Sequence, residues 1–464
     1  MITAPIFTTS LTSGEVDVYK AAEYISLHKS QELPRLVNLQ KYYNGLHPVL
    51  SRTKRDSSLS NNRVVINHAA YISNFSSAYL LGQPVSYTMS DKTDISALTD
   101  ALKKADSATQ DADLALDCSI FGRAYDMVYM SSDEQPYPKL ARLSPLNTFV
   151  VYDDTVEQKP VFAVYYYPVF NAQGNLEKYK CSMQTDRLIY DFEMMADFAV
   201  SVVQEPVEHY FGAVPINEIY NNGQRGGDFE QAISLIDAYN LLQSDRINDK
   251  EQFVNAILLV KGVSFGDDDT EKIDNYNALR ENGVLEIPAE GADASYLTRQ
   301  FDESSVEVLK NSILNDIHKI SCIPDMTDQN FAANASGVAM KYKLLGLEQL
   351  TKTKERYFAE GLRYRLQLFA NVLGVGKSVE VGNIDISFKR SLPANELEIA
   401  QTVTQLKDIV PSDLLLSQIP FVTDVDAALK NLKKEKQDAV KAQQAMFANT
   451  PIVSAGDSNG GENE

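Results

Sequence analysis

The feature that most constrains this sequence is one long helical stretch, which runs from Gly337 to about Leu373 without a proline. At about 37 residues it is far longer than the roughly 10–14 residues of an average globular helix. We expect a bend near Gly346 or Gly361, because long helices often deviate at glycine. Its apolar face is marked at helical spacing by Phe358, Leu362, Leu366, Phe369 and Leu373. The fold must accommodate one element of unusual length.

The size and composition are those of a globular protein. The chain has 464 residues, of which 44% are hydrophobic and 23% are charged, and this is enough for two or three cooperative cores. Its purely apolar runs, such as 256–260, are about a quarter of the roughly 20 residues that a membrane-spanning helix needs. The N-terminus lacks a basic and then apolar signal. The sequence therefore predicts a soluble intracellular protein without a membrane partner.

Cysteine and histidine usage offers no site for metal or catalytic chemistry. Cys118, Cys181 and Cys322 lie far apart in sequence, so we expect neither a disulfide nor a zinc site, and we expect the three side chains to be buried. The histidines show no metal-ligand spacing and no nearby nucleophile motif; they are His28, His47, His68, His209 and His318. We predict no cofactor, no metal and no enzymatic activity.

Two short motifs invite a ligand-binding interpretation that we do not favour. The segment from Gly374 to Ser378 contains Gly-Lys-Ser, but it lacks the first glycine of a phosphate-binding loop, and a helix C-cap explains it better. The acidic run that begins at Asp267 lacks the glycine and the final glutamate of a calcium loop. It is predicted to be a solvated acidic turn.

The net charge of the chain is −20, which argues against a protein that holds nucleic acid by neutralising phosphates. DNA remains possible as a transient passenger, because an acidic wall reduces long-lived phosphate contacts by like-charge repulsion. The same acidity could instead serve solubility alone. Composition does not decide between these two interpretations.

The first half of the chain has an α+β pattern. Helical spacing covers 64–81, and a second helix is predicted over 94–121, which Gly122 ends. The residues that follow are β-branched and aromatic, which favours strands. The predicted strands cover 128–130, 149–152 and 160–170, with a hairpin turn at 171–175. This first domain ends near Pro215.

In the second half, two helices flank a small acidic module. We expect Asp228 to be the N-cap of a helix over 229–255, which would be about 40 Å long. Residues 257–302 contain six more acidic than basic side chains and predict a small α/β module. A second helix is predicted over 304–321, before Pro324.

Beyond Pro324 the predicted elements are a polar loop, the long helix, a strand and a polar helical region. They cover 325–336, 337–373, 384–388 and 394–441 in turn. The glycine-, serine- and acid-rich end, 454–464, is expected to be disordered.

Several short motifs follow one another along the chain in a definite order. They are Asn61-Asn62-Arg63-Val64, 79–85 (YLLGQPV), 121–125 (FGRAY), Val214-Pro215 before Asn221-Asn222, 235–240 (LIDAYN), Ser244-Asp245, Asn248-Asp249, Ile323-Pro324-Asp325 and 336–342 (SGVAMKY). In this order, and over roughly residues 15–445, the chain resembles the portal protein family of long-tailed siphophages of Gram-positive hosts.

The resemblance implies an α+β portal fold and a ring, usually of twelve subunits, around an axial channel for double-stranded DNA. The implied regions are a wing (1–227), a two-helix stem (228–256 and 303–323), a clip (257–302), a channel loop (324–336), a long helix with a returning wing strand (337–393), a crown (394–448) and a disordered tail (449–464).

The resemblance also implies where partners bind. The channel loop would approach the duplex through Asp328, Gln329, Asn330, Phe331, Ala332, Ala333 and Asn334. The stem would present Asp245, Arg246, Asp249 and Lys250 to the channel. The clip would offer Asp267, Asp268, Asp269 and Glu271 to the terminase large subunit and then to a head-to-tail adaptor. Major capsid and scaffolding proteins are further implied partners, and the implied location is the portal vertex of the virion, after assembly in the host cytoplasm.

Two other classes of protein are alternatives. A different capsid or tail structural protein, such as a head-to-tail adaptor, would usually be much shorter than 464 residues. An enzyme such as a nuclease or a capsid protease would need a carboxylate–metal cluster or an activated nucleophile, and the sequence suggests neither.

Overall fold

We describe the fold from a computed structural model. It describes residues 4–54, 60–89, 93–254, 257–261, 268–282, 293–297, 303–326, 342–376, 378–390 and 396–406, with short pieces between 409 and 437. The chain divides into two compact units, Met1–Ser391 and Leu392–Glu464. The second unit contains helix α10 (Glu396–Leu406) and a helical segment at 428–435.

The helices of the first unit range from nine to 28 residues. They are α1 (Val18–Leu27), α2 (Leu33–Tyr43), α3 (His68–Leu81), α4 (Ser96–Lys104), α5 (Ser107–Phe121), α6 (Ile233–Val254), α7 (Asp269–Asn282), α8 (Glu303–Ser321) and α9 (Leu345–Val372). A π-helical turn, His28–Glu32, joins α1 to α2. Short 3-10 turns occupy Pro48–Ser51, Glu230–Ala232 and Val381–Asn383.

The strands of this unit are mostly short. They are β1 (Phe7–Thr9), β2 (Ser86–Met89), β3 (Arg123–Met130), β4 (Pro138–Leu143), β5 (Thr148–Asp153), β6 (Pro160–Phe170), β7 (Leu176–Gln184), β8 (Leu188–Met195), β9 (Val200–Val202), β10 (Val207–Glu208), β11 (Ile216–Tyr220), β12 (Ile257–Lys261), β13 (Asp293–Leu297) and β14 (Ile384–Ser387).

The strands form four sheets. The largest has the order β1-β5-β6-β7-β8-β10, with β9 also paired to β8, and only its β1–β5 pair is parallel. A three-stranded antiparallel sheet has the order β11-β3-β4. The pairs β12–β13 and β2–β14 make two small antiparallel ribbons. Antiparallel sheets together with separate helices confirm the predicted α+β class.

The large sheet buries one face against α1. Alternate side chains along its strands, including Phe149, Phe162, Met183 and Phe192, point into a core that also contains Ile25 of α1. The opposite face of β5 and β6 packs on the three-stranded sheet through other residues, such as Val150 and Tyr152 against Ile216. This alternation is the period of two expected for strands that are covered on both faces.

Some predicted elements are confirmed and others need correction. The hairpin turn is confirmed, because β6 ends at Phe170, β7 begins at Leu176, and Gly174 has a positive φ of 79°. The single helix predicted over 94–121 is wrong. It is two helices, α4 and α5, separated at Asp106, whose φ of 53° lies in the left-handed region and interrupts the helix.

The cysteine prediction is also only partly right. Cys118 and Cys181 are buried, but Cys322 is exposed. Cys322 directly follows α8 and has a positive φ of 56°, so it marks the end of that helix and lies outside the core.

The long helix α9 passes Gly346 and Gly361 and ends at Val372. Residues 342 and 343 are helical and are separated from α9 by a turn at Leu344, so an interruption lies beside Gly346. Gly361 allows α9 to pack closely on β11, because a Cβ there would lie 2.6 Å from Ile219 Cγ1. Gly374, with a φ of 70°, ends the helix as the predicted C-cap glycine.

Candidate functional site at the stem helices

Helices α6 and α8 pack side by side and antiparallel, with the α/β module of α7, β12 and β13 between them in sequence. Their shared core includes Ile236 and Tyr239 of α6 and Ile317 of α8, all buried, with Ile313 and Leu314 packed against them. These side chains recur at helical spacing, so each helix gives one apolar stripe to the other. Both helices that were predicted to flank the acidic module are therefore present, and they are adjacent.

Ion pairs join the two helices beyond this apolar contact. Arg246 of α6 reaches two acids of α8, Glu303 and Glu307, at 3.0 Å each. Lys250 binds the same Glu303 at 2.9 Å. Because the carboxylates of these pairs are exposed to solvent, each pair contributes little to stability. Their main effect is to fix the position of one helix along the axis of the other.

An extended segment, residues 60–66, lies along α6, and we term it the strap. Three buried polar side chains of α6 accept hydrogen bonds from alternate backbone N–H groups of the strap. The bonds join Asn248 Oδ1 to Asn62 N at 2.6 Å, Ser244 Oγ to Val64 N at 3.0 Å, and Asn240 Oδ1 to Ile66 N at 2.8 Å. Each of these backbone groups would otherwise lack a strand or helix partner.

The regular spacing of these bonds has a geometric cause. Four residues of α-helix rise about 6.0 Å, and two residues of extended chain span about 6.6 Å. The strap runs in the opposite direction to α6. Its positions 66, 64 and 62 therefore lie opposite positions 240, 244 and 248 of the helix. Asn240 also binds His47 at 2.9 Å through its Nδ2, so the ladder is tied to the segment before the strap as well.

The base of α6 is held by a buried charge cluster. Lys354 of α9 pairs with Asp228, which lies just before the stem, and with Ser76 of α3 at 2.5 Å. Asp228 also accepts hydrogen bonds from Ser119 at 2.6 Å and from Asn221 at 2.8 Å. Burial alone would raise the pKa of Asp228, but Lys354 and these hydrogen bonds hold it below its usual value. Asp228 is therefore an ion-pair partner of the long helix.

This result corrects the predicted N-cap role of Asp228. The regular helix begins at Ile233, behind the 3-10 turn Glu230–Ala232, and that turn is preceded by Phe229 and has no side-chain cap. The sequence pattern suggested a cap because aspartate is common there. Its carboxylate is instead used by partners from α5 and α9 and by Asn221.

Two arginines form further ion pairs between elements of the first unit. Arg35 of α2 binds Glu230 through two hydrogen bonds of 2.7 and 2.6 Å, a bidentate geometry. Arg365 of α9 is fully buried between Asp126 of β3 at 2.6 Å and Asp111 of α5 at 2.5 Å. Burial raises the pKa of Asp111, and Arg365 acts against that rise. Ion pairs therefore join the long helix α9 to α5 and β3, and join α2 to the turn before α6.

Comparisons with known proteins identify the family. A family model described as phage portal protein, SPP1 Gp6-like, matches residues 22–442. The chain belongs to the phage portal protein family. The portal protein of Clostridium phage phiCD119 is 23% identical over 433 residues, which are 87% of this chain and 92% of that protein. The portal protein of Bacillus phage SPP1 is 23% identical over 385 residues, 79% of this chain and 74% of that protein.

Membership in the portal family confirms the resemblance and the predicted function, and it sets aside the adaptor alternative. Portal proteins are structural components of the virion capsid, and the family implies an oligomeric ring and contact with DNA. Within the described residues, no helix is both long and apolar enough to cross a membrane.

Several motifs that carry the resemblance meet in this portal protein at the strap ladder. The motif from Asn61 to Val64 supplies two of the bonded backbone groups, and the motifs that contain Asn240, Ser244 and Asn248 supply the acceptors. These motifs are separated by about 180 residues in sequence. Among the polar residues of α6, only Asp245, Arg246, Asp249 and Lys250 were assigned a role from the sequence, although the small polar side chains at 240, 244 and 248 were a visible signal.

The four residues predicted to face the channel have different surroundings. Arg246 and Lys250 are paired with α8, as described above, and Asp245 binds Arg52 at 2.6 Å. Asp249 is partly exposed. Which of these side chains faces the channel stays a prediction.

The predicted clip residues lie at the start of α7. Asp268 accepts hydrogen bonds from the backbone of Thr270 and Glu271 at 2.8 Å each, so it caps that helix. Asp269 and Glu271 are exposed, whereas Asp267 lies outside the described residues. The acidic turn therefore combines a structural cap with accessible carboxylates.

The channel-loop residues from Asp328 to Asn334 lie outside the described residues. The chain leading to them is anchored, because Tyr71 of α3 donates a 2.8 Å hydrogen bond to the carbonyl of Pro324, and Ile323 is buried. His318 of α8 bonds the carbonyl of Ile323 at 2.9 Å. The residues that connect α8 to the predicted channel loop, Ile323 and Pro324, are therefore fixed in place.

The positions of the histidines in the sequence did not indicate that two of them lie close together in the structure. The rings of His68 and His318 lie 6.2 Å apart between centroids, and burial lowers the pKa of His68 to about 4, with a further contribution from His318. In the part of the chain that the structure describes, no group of three or more potential metal ligands is present.

One cavity of about 110 Å³ lies between the large sheet and α9, and it is lined in part by Tyr152, Glu218, Tyr220 and Tyr364. This is far below the roughly 300 Å³ at which small-molecule pockets begin. The cavity holds only a few waters at roughly 30 Å³ each.

Proposed function

We propose that twelve copies of the chain form a closed ring at one capsid vertex, and that double-stranded DNA passes through its axial channel during packaging and ejection. The observation that carries this proposal is the architecture of the stem. Two antiparallel helices leave the α+β unit together, enclose a small acidic module in sequence, and are fastened at their base to the long helix by the Lys354–Asp228 pair. A ring that guides a duplex needs helices that are held rigidly at their base.

The acidic module is the proposed docking surface for the terminase large subunit and then for the head-to-tail adaptor. It lies between helices that both return to the main unit, and its carboxylates at Asp269 and Glu271 are exposed. Replacing Asp267, Asp268 and Asp269 with Asn should weaken binding of these partners. Helix α7 should persist, because Asn caps helices as well as Asp does. Unchanged binding of both partners would remove this assignment.

The proposed channel loop is 324–336, which in sequence follows the anchored end of α8 and precedes the long helix. Its segment from Asn330 to Asn334 contains only uncharged side chains, so this segment would approach the duplex without a fixed charge. B-form DNA carries one negative charge per about 1.7 Å of axis. Replacing Asn330 and Asn334 with Lys should therefore slow packaging more at low salt than at high salt. Normal packaging at every salt concentration would contradict the channel-loop role.

Major capsid and scaffolding proteins are further proposed partners, and assembly is proposed to occur in the host cytoplasm. Negative-stain electron microscopy of the purified protein tests the central claim directly. The expected images are rings with an axial hole and twelve-fold or near twelve-fold symmetry. A species of one subunit only, at micromolar concentration and across several salt conditions, would refute the ring.

A further inference from the structure

Helix α8 carries apolar side chains that are exposed within the described part of the subunit. Leu309 is 51% exposed and Ile320 is 47% exposed. With Ser312 and Asp316, which are also exposed, they recur every three or four residues and so share one face of the helix. The centre of this face lies about 100° around the helix from the buried Ile317, which packs toward α6. Its two half-exposed apolar side chains can be buried by a neighbouring helix.

Helix α6 has a matching open face. One side of α6 is covered by α8 and another by the strap. A third side, with Ser234, Ala238 and Leu241 at spacings of four and three residues, is exposed, and Leu241 is 44% exposed. Two small residues beside one leucine let another helix approach closely while offering it an apolar contact.

The two faces lie at the same level along the stem. Arg246 binds both Glu303 and Glu307, so position 246 of α6 is level with about position 305 of the antiparallel α8. Both helices rise about 1.5 Å per residue, so Leu241 is level with about position 310 and Ala238 with about position 313. A cyclic ring keeps each residue at one height along its axis in every subunit, so these levels also apply between neighbours when the two helices run along that axis.

We propose that the Leu309–Ile320 face of α8 in one subunit packs against the Ser234–Leu241 face of α6 in the next copy. This inference rests on the ring proposed above and names the stem surfaces that close it. The contact is heterologous, since two different faces meet, and a heterologous contact is what a closed ring of more than two subunits requires. It covers the apolar side chains that the single subunit leaves in water.

A disulfide test uses Ala238→Cys combined with Ser312→Cys, two small exposed positions at nearly the same level. The background carries Cys322→Ser, because Cys322 is exposed whereas Cys118 and Cys181 are buried. Rings are oxidised with copper phenanthroline and analysed by non-reducing gel electrophoresis. We expect a ladder of covalent multimers up to the full ring, because the bridges would join neighbouring subunits.

The matched control replaces Ser312→Cys by Asn311→Cys, at the same level but turned about 100° around the helix. It should give much less multimer. Intact rings without a ladder from the 238/312 pair would overturn the inference and leave the ring itself standing. Equal ladders from both pairs would also overturn it, because the faces would then not be in register. If the unmodified protein formed no ring, the proposed function would fail and this inference with it.

A second test of the same contact does not require a disulfide. Leu309→Ser should shift the ring toward single subunits, with at least a tenfold rise in the concentration needed for assembly. The subunit should still fold, because Leu309 is half exposed. Val156→Ser is the control, since Val156 is fully exposed in the turn before β6 and lies on neither face. Unchanged ring stability in Leu309→Ser would overturn the inference.

Discussion

The side-chain oxygen of Asn248, in α6, accepts a 2.6 Å hydrogen bond from the backbone N–H of Asn62, in the strap. It is the outermost bond of a ladder that continues inward through Ser244 and Asn240. The first four turns of the stem helix are therefore attached to the main unit along their length, in addition to the buried charge pairs at their base. The stem is positioned by polar contacts as much as by its apolar stripe.

Breaking this ladder should destabilise the subunit measurably. Asn248→Ala leaves the N–H of Asn62 without its acceptor in a partly buried place, and we expect a loss of about 1–3 kcal/mol in the free energy of unfolding. Urea unfolding of the purified protein measures it. Asp249→Ala is the control, because that neighbouring side chain is partly exposed, and its effect should stay within about 0.5 kcal/mol. Equal losses in the two variants would contradict the role of the strap.

The Lys354–Asp228 pair should be costly to break from one side. Lys354→Met leaves a buried aspartate without its partner, and we expect a loss of about 3–5 kcal/mol. Adding Asp228→Asn should recover part of that loss, because the unpaired charge is then removed. Lys352→Met, two residues earlier and more than half exposed in a long pair with Glu348, serves as the control. A double variant no better than Lys354→Met alone would argue against direct coupling.

The stability of the subunit should fall in mild acid because of His28. Burial, and to a lesser degree Arg123, lowers the pKa of His28 to about 3, whereas an unfolded histidine has a pKa of about 6.5. Below that pH the unfolded chain binds more protons, so stability decreases as the pH falls from about 6.5 toward 3. Between pH 7.5 and pH 5, His28 should account for a loss of about 2 kcal/mol.

A double variant isolates this contribution. His28→Leu with Tyr166→Phe removes the histidine and its 2.9 Å hydrogen-bond partner together, and the stability lost between pH 7.5 and pH 5 should become smaller. Tyr166→Phe alone keeps the histidine and should keep the full pH dependence. Thermal unfolding at both pH values provides the measurement, and an identical pH dependence in all three proteins would disprove the assignment to His28.

The close approach of α9 to β11 should make Gly361 intolerant of a side chain. In Gly361→Ala the new Cβ would lie 2.6 Å from Ile219 Cγ1, and we expect a loss of about 1–3 kcal/mol from overpacking. The same substitution should cost less in an Ile219→Ala background, which a double-mutant cycle measures. Gly346→Ala, in the same helix with its nearest atom at 3.9 Å, should be neutral or stabilising by up to about 1 kcal/mol. A larger loss at position 346 would contradict this account.

The sequence by itself determined the local elements and the family. Apolar spacing predicted the long helix, and the helix predicted over 304–321 before Pro324 is α8. Turn residues predicted the hairpin between β6 and β7, and a glycine after the helical face predicted the C-cap at Gly374. The ordered motifs indicated a portal protein, as the family comparison confirms. These signals are available because helical period, strand alternation and positive φ are set by residues within a few positions of one another.

Only the tertiary structure decided which polar groups are partners. Asp228 was predicted as a cap from its local position, yet its carboxylate binds Lys354, 126 residues away. The predicted channel-face residues Arg246 and Lys250 are bound to α8, and the amides of Asn240 and Asn248 hold a strap more than 170 residues earlier. A polar side chain can bond to any suitable group that folding brings within about 3 Å. Its partner therefore depends on the packing of distant segments, which no local pattern encodes.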